Sequence, residues 1–135
     1  MSANGTSRKW HPSRLAAAYG FKADSDKPSI DTIIRVDQPT VKTGAVTFDV
    51  TNWSASVLHE MLVISVDNPN APLFYDYYQA RVPEDQVKVL GEVADLEPNA
   101  SKTLELTLAP GSYLLICNVP GHYASGMVAA LNVTP

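Results

Sequence analysis

Short runs of alternating apolar and polar residues recur from residue 30 to the end of the chain, and this pattern constrains the fold most strongly. In residues 45–51 every second side chain is a large apolar one, and residues 101–108 place three leucines on one face of an extended chain. Turn sequences that contain Gly, Pro or Asn separate the runs, as at 109–111. The pattern predicts an all-β fold, a β-sandwich. The predicted strands are 30–36, 45–51, 57–66, 101–108, 113–116 and 128–133.

The beginning of the chain departs from this pattern. Residues 12–19 are rich in alanine, with a proline near their start, which predicts a short N-terminal helical segment. Residues 1–30 carry five basic and two acidic side chains, whereas the rest of the chain carries five basic and twelve acidic ones. We therefore divide the chain into a basic arm, 1–29, and one domain, 30–135. The arm is interpreted as a solvated tail, with docking to an acidic partner as the alternative.

A second departure lies between the predicted strands, in residues 67–95. This stretch is rich in proline and aromatic residues and is predicted to be a long irregular insertion, with a short helix that begins at Pro83. We expect Tyr75, Tyr77 and Tyr78 to cover the sheet or its edge, and contact with a partner is the alternative.

Composition excludes several classes of protein. A chain of 135 residues with 45% hydrophobic residues can build the core of one domain. Its net charge of −4 argues against general affinity for nucleic acid. No apolar run approaches the roughly 20 residues of a transmembrane helix. The single cysteine excludes an internal disulfide, and no signal peptide is visible after Met1, so either the protein is cytoplasmic or a leader has been removed.

The residues with the most distinctive chemistry form a Cys-x4-His-x4-Met motif, Cys117, His122 and Met127, between two predicted strands. A thiolate, an imidazole and a thioether are thus brought together by one loop, and the Pro-Gly pair before His122 predicts a turn. His59 lies in the predicted strand 57–66. Two histidines and one cysteine with a long axial methionine are the ligand set of a blue copper site. The sequence predicts one type 1 copper ion.

Other interpretations of these residues are weaker. Alone, Cys117 or His59 is more often a core residue, and Met127 more often packs. Zinc does not use a thioether ligand, and Glu60, the nearest carboxylate to His59, points to the other side of an extended strand. A cysteine–histidine hydrolase would need an oxyanion loop that the sequence does not show.

The segment 116–127 resembles the copper-binding loop of the cupredoxins, the small type 1 blue copper proteins, and the resemblance covers about residues 30–135. It implies a Greek-key β-sandwich with copper near one end, and His59, Cys117, His122 and Met127 as the ligands. It also implies electron transfer and, in bacteria, a location in the periplasm or otherwise outside the cytoplasmic membrane, which favours a removed leader. A copper enzyme would need a second metal site, and only His11 remains for one, so we do not expect an enzyme.

The sequence also shows where the site differs from this family. Many cupredoxins have Asn after the upstream histidine, where Glu60 stands here. The family further implies backbone N–H groups that bond the cysteine sulfur, and Val119, unlike a proline, retains such a donor.

The expected function is a monomeric one-electron shuttle between transient redox partners of the cytochrome or copper oxidase type. In the family the electron passes at the exposed edge of the loop histidine, here His122. The alternatives are a periplasmic copper carrier or buffer that delivers copper ions, a copper enzyme, and a structural sandwich without metal.

Overall fold

The computed structural model describes residues 13–19 and 33–135, and in these residues nearly all regular structure is β. The strands are β1 Ser13–Tyr19, β2 Ile34–Val36, β3 Thr40–Lys42, β4 Gly44–Asn52, β5 His59–Val66, β6 Lys88–Leu96, β7 Ser101–Leu108, β8 Gly111–Ile116 and β9 Val128–Thr134. One 3₁₀ turn, Glu84–Gln86, precedes β6. Each of the six predicted strands has a counterpart, although residues 30–32 lie outside the described part of the chain.

The strands form two mixed sheets. One sheet has the order β2-β1-β4-β7 and the other the order β3-β9-β8-β5-β6. β1 runs parallel to β4 and β3 runs parallel to β9, whereas the other neighbours are antiparallel. The predicted β-sandwich is confirmed.

The main core lies between the two sheets. Val46, Phe48 and Val50 of β4 are fully buried there, as are Met61 and Val63 of β5. Their alternation follows from the two-residue period of a strand. Burial of these apolar side chains stabilises the packing of one sheet on the other.

A second apolar cluster lies on the outer face of β5 and β8. Its buried members include Leu62, Ile64 and Ile116, and Val82 and Tyr75 pack on them from the segment 67–87. We call residues 67–87 the covering segment. Because it buries the outer face, the middle of β5 is apolar on both faces, which explains why residues 61–64 are all apolar.

The prediction of an N-terminal helix is wrong. Residues 13–19 form β1, in which Leu15 and Ala17 are buried while Arg14 and Ala16 are exposed, a period of two. Pairing with β4 and β2 and burial against the core outweigh the high helix propensity of the alanines, because tertiary contacts routinely override propensity. Most charges of the proposed basic arm lie outside the described residues, and the domain boundary at residue 30 stays a prediction.

The irregular insertion is shorter than predicted, because residues 88–96 form β6. Register shifts interrupt the pairing of β6 with β5, and Asp95 has a φ of 49°. These irregularities hide the alternation in the sequence. The helix expected at Pro83 is the 3₁₀ turn Glu84–Gln86.

Across residues 13–19 and 33–135, the structure contains no helix of the length and apolar character that a membrane crossing requires.

Candidate metal centre

Two neighbouring strands bring His59 and Cys117 together. His59 is the first residue of β5, and Cys117 follows the last residue of β8. These strands are antiparallel, with Leu62 opposite Ile116, so the start of β5 lies beside the end of β8. Both side chains are fully buried.

The turn before β5 is held by two buried polar residues, Asn52 and Ser54. The Asn52 amide donates hydrogen bonds to the carbonyl oxygens of Val57 at 2.8 Å and of Leu96 at 2.9 Å. The Ser54 hydroxyl accepts one from the Val57 N–H at 2.9 Å. Because these bonds satisfy buried backbone groups, they fix the backbone at Val57, two residues before His59.

The predicted Pro-Gly turn in the loop is present. The His122 N–H donates to the Val119 carbonyl at 2.9 Å, which closes a four-residue turn. Gly121 has a φ of 85°, which suits glycine at the third position of a type II turn that has proline at the second. The turn folds His122 back toward Cys117.

The ends of the loop are also joined. The Met127 N–H donates to the His122 carbonyl at 3.2 Å, and the Cys117 N–H donates to the Met127 carbonyl at 3.2 Å. The backbones of Met127 and Cys117 are therefore hydrogen-bonded neighbours. The Met127 side chain is fully buried.

Three donor atoms meet at this point. The Nδ1 atoms of His59 and His122 lie 3.2 Å apart, and the Cys117 Sγ lies 3.7 Å from the first and 3.3 Å from the second. In the described residues this is the one cluster of three histidine, cysteine or carboxylate side chains that could hold a metal ion. Donors bonded to one ion at about 2.0–2.3 Å lie roughly 3–4 Å from one another, so the triangle fits a shared ion.

The sulfur of Cys117 is surrounded by apolar groups and by two backbone N–H donors. Burial raises the pKa of this thiol from 9.0 to about 11, although the N–H groups of Glu60 and Val119 hydrogen-bond the sulfur and act in the opposite direction. The Glu60 nitrogen lies 3.4 Å from it. Burial lowers the pKa of His122, so both groups are neutral near pH 7 in the metal-free protein.

This thiol predicts how the stability of the metal-free protein depends on pH. Below about pH 9 Cys117 is protonated in both the folded and the unfolded chain, whereas between pH 9 and about 11 it ionises only when unfolded. Stability is therefore lost as pH rises through this window, by about 3 kcal/mol for two pKa units. The measurement is the free energy of unfolding at pH 8 and pH 11 for the metal-free protein and for Cys117→Ala. An equal pH dependence in both proteins would contradict the prediction.

The donor set favours copper over zinc. A thioether at Met127 does not serve zinc, whereas thiolate, imidazole and thioether together suit copper. The carboxylate of Glu60 faces Arg81, at 3.6 Å, and is not part of the donor cluster. The arrangement of His59, Cys117, His122 and Met127 fits one type 1 copper site.

Sequence reasoning missed Asn118, which joins the loop to the covering segment. Its side chain accepts a hydrogen bond from the Val82 N–H and donates one to the Val82 carbonyl, both at 2.8 Å. Nearby, the Gly121 N–H donates to the Ala80 carbonyl at 2.8 Å. The available signal was a polar residue directly after the largely apolar run 113–117.

The tyrosines of the covering segment divide into two groups. Tyr75 stacks on Tyr123 of the loop, with ring centroids 6.0 Å apart, and packs on the outer cluster, as predicted. Tyr77 and Tyr78 are 87% and 102% exposed, so the expectation that they cover the sheet is wrong. Their alternative role, contact with a partner, stays a prediction.

Comparison with known proteins supports the interpretation of the site. No family model matches the chain. Auracyanin-B of Chloroflexus aurantiacus is 44% identical over 54 residues, a match that covers 39% of this chain and only 23% of that protein.

Solved structures show the likeness over a longer span. The reduced auracyanin of Roseiflexus castenholzii is 28% identical, with a TM-score of 0.56, over 74% of this chain and 87% of that one. Auracyanin A of Chloroflexus aurantiacus, described as a "blue" copper protein, is 22% identical over 92% of this chain and 100% of that one, with a TM-score of 0.60. Reduced rusticyanin is 15% identical over 90% and 78%, with a TM-score of 0.61. The last two likenesses concern the fold alone. Together, the local sequence match and the structural neighbours show that the chain is similar to the auracyanins and to rusticyanin and has a cupredoxin-like fold.

Proposed function

We propose that the protein carries single electrons between redox partners and holds one copper ion through His59, Cys117, His122 and Met127. The observation that carries the proposal is the buried triangle of two imidazole nitrogens and one sulfur, with all three separations between 3.2 and 3.7 Å. When bound, copper supplies the Cu(I)/Cu(II) couple.

The protein around the triangle supports rapid electron transfer, because it limits rearrangement. His59 is fixed by the turn at Asn52 and by β5, and His122 is fixed by the type II turn and the bond from Met127. Side chains that the surrounding fold holds in place keep the same positions in both oxidation states. Burial of His59, Cys117 and Met127 keeps water from these three side chains.

The route for the electron is the edge of His122. This residue is partly exposed, whereas His59 is fully buried. Pro120 beside it is exposed and Gly121 is partly exposed, so a weakly polar surface surrounds the imidazole edge. A small surface of this kind suits a brief encounter with a cytochrome or a copper oxidase type of partner.

Two further parts of the proposal rest on the likeness to cupredoxins. We infer that the protein works outside the cytoplasmic membrane, in the periplasm or an equivalent space, after removal of a leader. We also infer that it acts as a monomer and not as an enzyme, with His122 as its contact point.

A comparison of electron exchange with copper exchange tests this function. We expect electrons to pass rapidly between the oxidised and reduced protein, while a chelator removes copper slowly from both forms because the donor atoms are buried. The measurements are line broadening in magnetic resonance for the first rate and optical chelator assays for the second. Rapid copper loss with slow electron exchange would instead identify a copper carrier or buffer.

A further inference from the structure

Arg81, in the covering segment, contacts both sides of the candidate site. Its Nε–H donates a hydrogen bond to the Asn118 carbonyl at 3.0 Å. Its Nη2 lies 3.6 Å from a carboxylate oxygen of Glu60 and 3.5 Å from one of Glu84. The side chain is 37% exposed, so the guanidinium is partly shielded from solvent.

The groups that Arg81 contacts are connected to the sulfur of Cys117. The carbonyl of Asn118 and the N–H of Val119 are the two ends of one peptide unit, and that N–H bonds the sulfur. Glu60, whose carboxylate pairs with Arg81, supplies the other backbone N–H to the same sulfur. Arg81 therefore contacts the peptide unit that supplies one N–H donor and the side chain of the residue that supplies the other.

The physical consequence is a polarised peptide. A cation that donates to a carbonyl oxygen makes a stronger hydrogen bond than a neutral donor does. Chains of hydrogen bonds polarise one another, so the N–H at the other end of the peptide becomes a better donor. Hydrogen bonding around the cysteine sulfur is one of the factors that set the reduction potential of a blue copper site.

We propose that Arg81 is a positioning residue that lowers the electron density on the Cys117 sulfur through the Asn118–Val119 peptide. Ion pairs with Glu60 and Glu84 hold its guanidinium in place. The inference rests on the proposed copper site and deepens it. A stronger hydrogen bond from the Val119 N–H withdraws electron density from the sulfur. This favours Cu(I) and so raises the reduction potential. Loss of Arg81 lowers it.

The test uses three variants of the whole chain. Arg81→Gln removes the cation, and Arg81→Lys keeps the charge but loses the planar fork that joins the carbonyl to two carboxylates. Arg14→Gln is the matched control, because Arg14 pairs with Asp49 on the other sheet. The readouts are the Val119 amide proton resonance of the metal-free protein, the visible spectrum after copper loading, and the reduction potential at low and at about 1 M ionic strength.

We expect Arg81→Gln to retain its colour, to shift the Val119 amide resonance upfield and to lower the potential. The potential difference should persist at about 1 M salt, where interactions between solvent-exposed charges more than about 3 Å apart are largely screened. Arg81→Lys should shift the same amide, and Arg14→Gln should match the wild type in every readout.

Other results would overturn the inference. If Arg81→Gln leaves the Val119 resonance unchanged, or if its difference in potential vanishes at high salt, Arg81 acts only by long-range electrostatics and not through the peptide. An Arg81→Lys variant with the wild-type Val119 amide resonance and the wild-type potential would lead to the same conclusion. A wild-type protein that binds copper without becoming coloured would instead refute the proposed copper site itself.

Discussion

Replacing Cys117 by serine is expected to abolish the intense visible absorption of the copper-loaded protein. That absorption arises from charge transfer between a thiolate and copper, and the chain has no other cysteine. Copper affinity should also fall by more than about 100-fold, the upper end of the loss when a residue that merely orients a ligand is removed. The measurements are the visible spectrum and a competition titration with a chelator.

A matched control separates loss of the ligand from general disturbance of the loop. Ala124→Ser adds the same hydroxyl at an exposed position of the loop and should leave colour and affinity unchanged. Persistence of strong colour in Cys117→Ser would show that the assigned sulfur is not a ligand.

Replacing Asn118 by alanine is expected to destabilise the fold by about 2–6 kcal/mol. Val82 is 1% exposed, and its N–H and carbonyl both bond the Asn118 side chain. Leaving each of these buried groups without a partner costs about 1–3 kcal/mol. The measurement is urea unfolding of the metal-free protein, accompanied by limited proteolysis, which should cut within the covering segment.

Asn132→Ala provides the comparison for this variant. Asn132 lies on β9 with an exposed side chain, so its replacement should change the free energy of unfolding by no more than about 0.5 kcal/mol. Equal stabilities of the two variants would mean that Asn118 does not fasten the covering segment to the loop.

Three of the four proposed ligands could be predicted from sequence because they lie in one short loop. Cys117, His122 and Met127 are five residues apart, and the type II turn that folds them together follows from Pro120 and Gly121. The strands with regular alternation were predictable for the same reason, since a period of two is visible within a few residues.

The misses depend on contacts between distant parts of the chain. Residues 13–19 form a strand because β4 and the core receive them, and no local feature of their alanines shows this. β6 is concealed by its register shifts. Both cases show tertiary pairing overriding local propensity.

Glu60 illustrates the limit for the candidate site. The sequence shows that a carboxylate follows His59, but its partner Arg81 is 21 positions further along the chain and is brought close by the covering segment. The structure adds that Glu60 uses its backbone for the sulfur and its side chain for Arg81.

The most direct test of the proposed function is a redox titration of the copper-loaded protein, followed by visible and electron paramagnetic resonance spectroscopy. The proposed function predicts one copper per chain, an intense visible band in the oxidised form, and loss of both the band and the paramagnetic signal on addition of one electron, with full recovery on reoxidation. A colourless oxidised protein, or copper that leaves the protein on reduction, would contradict it.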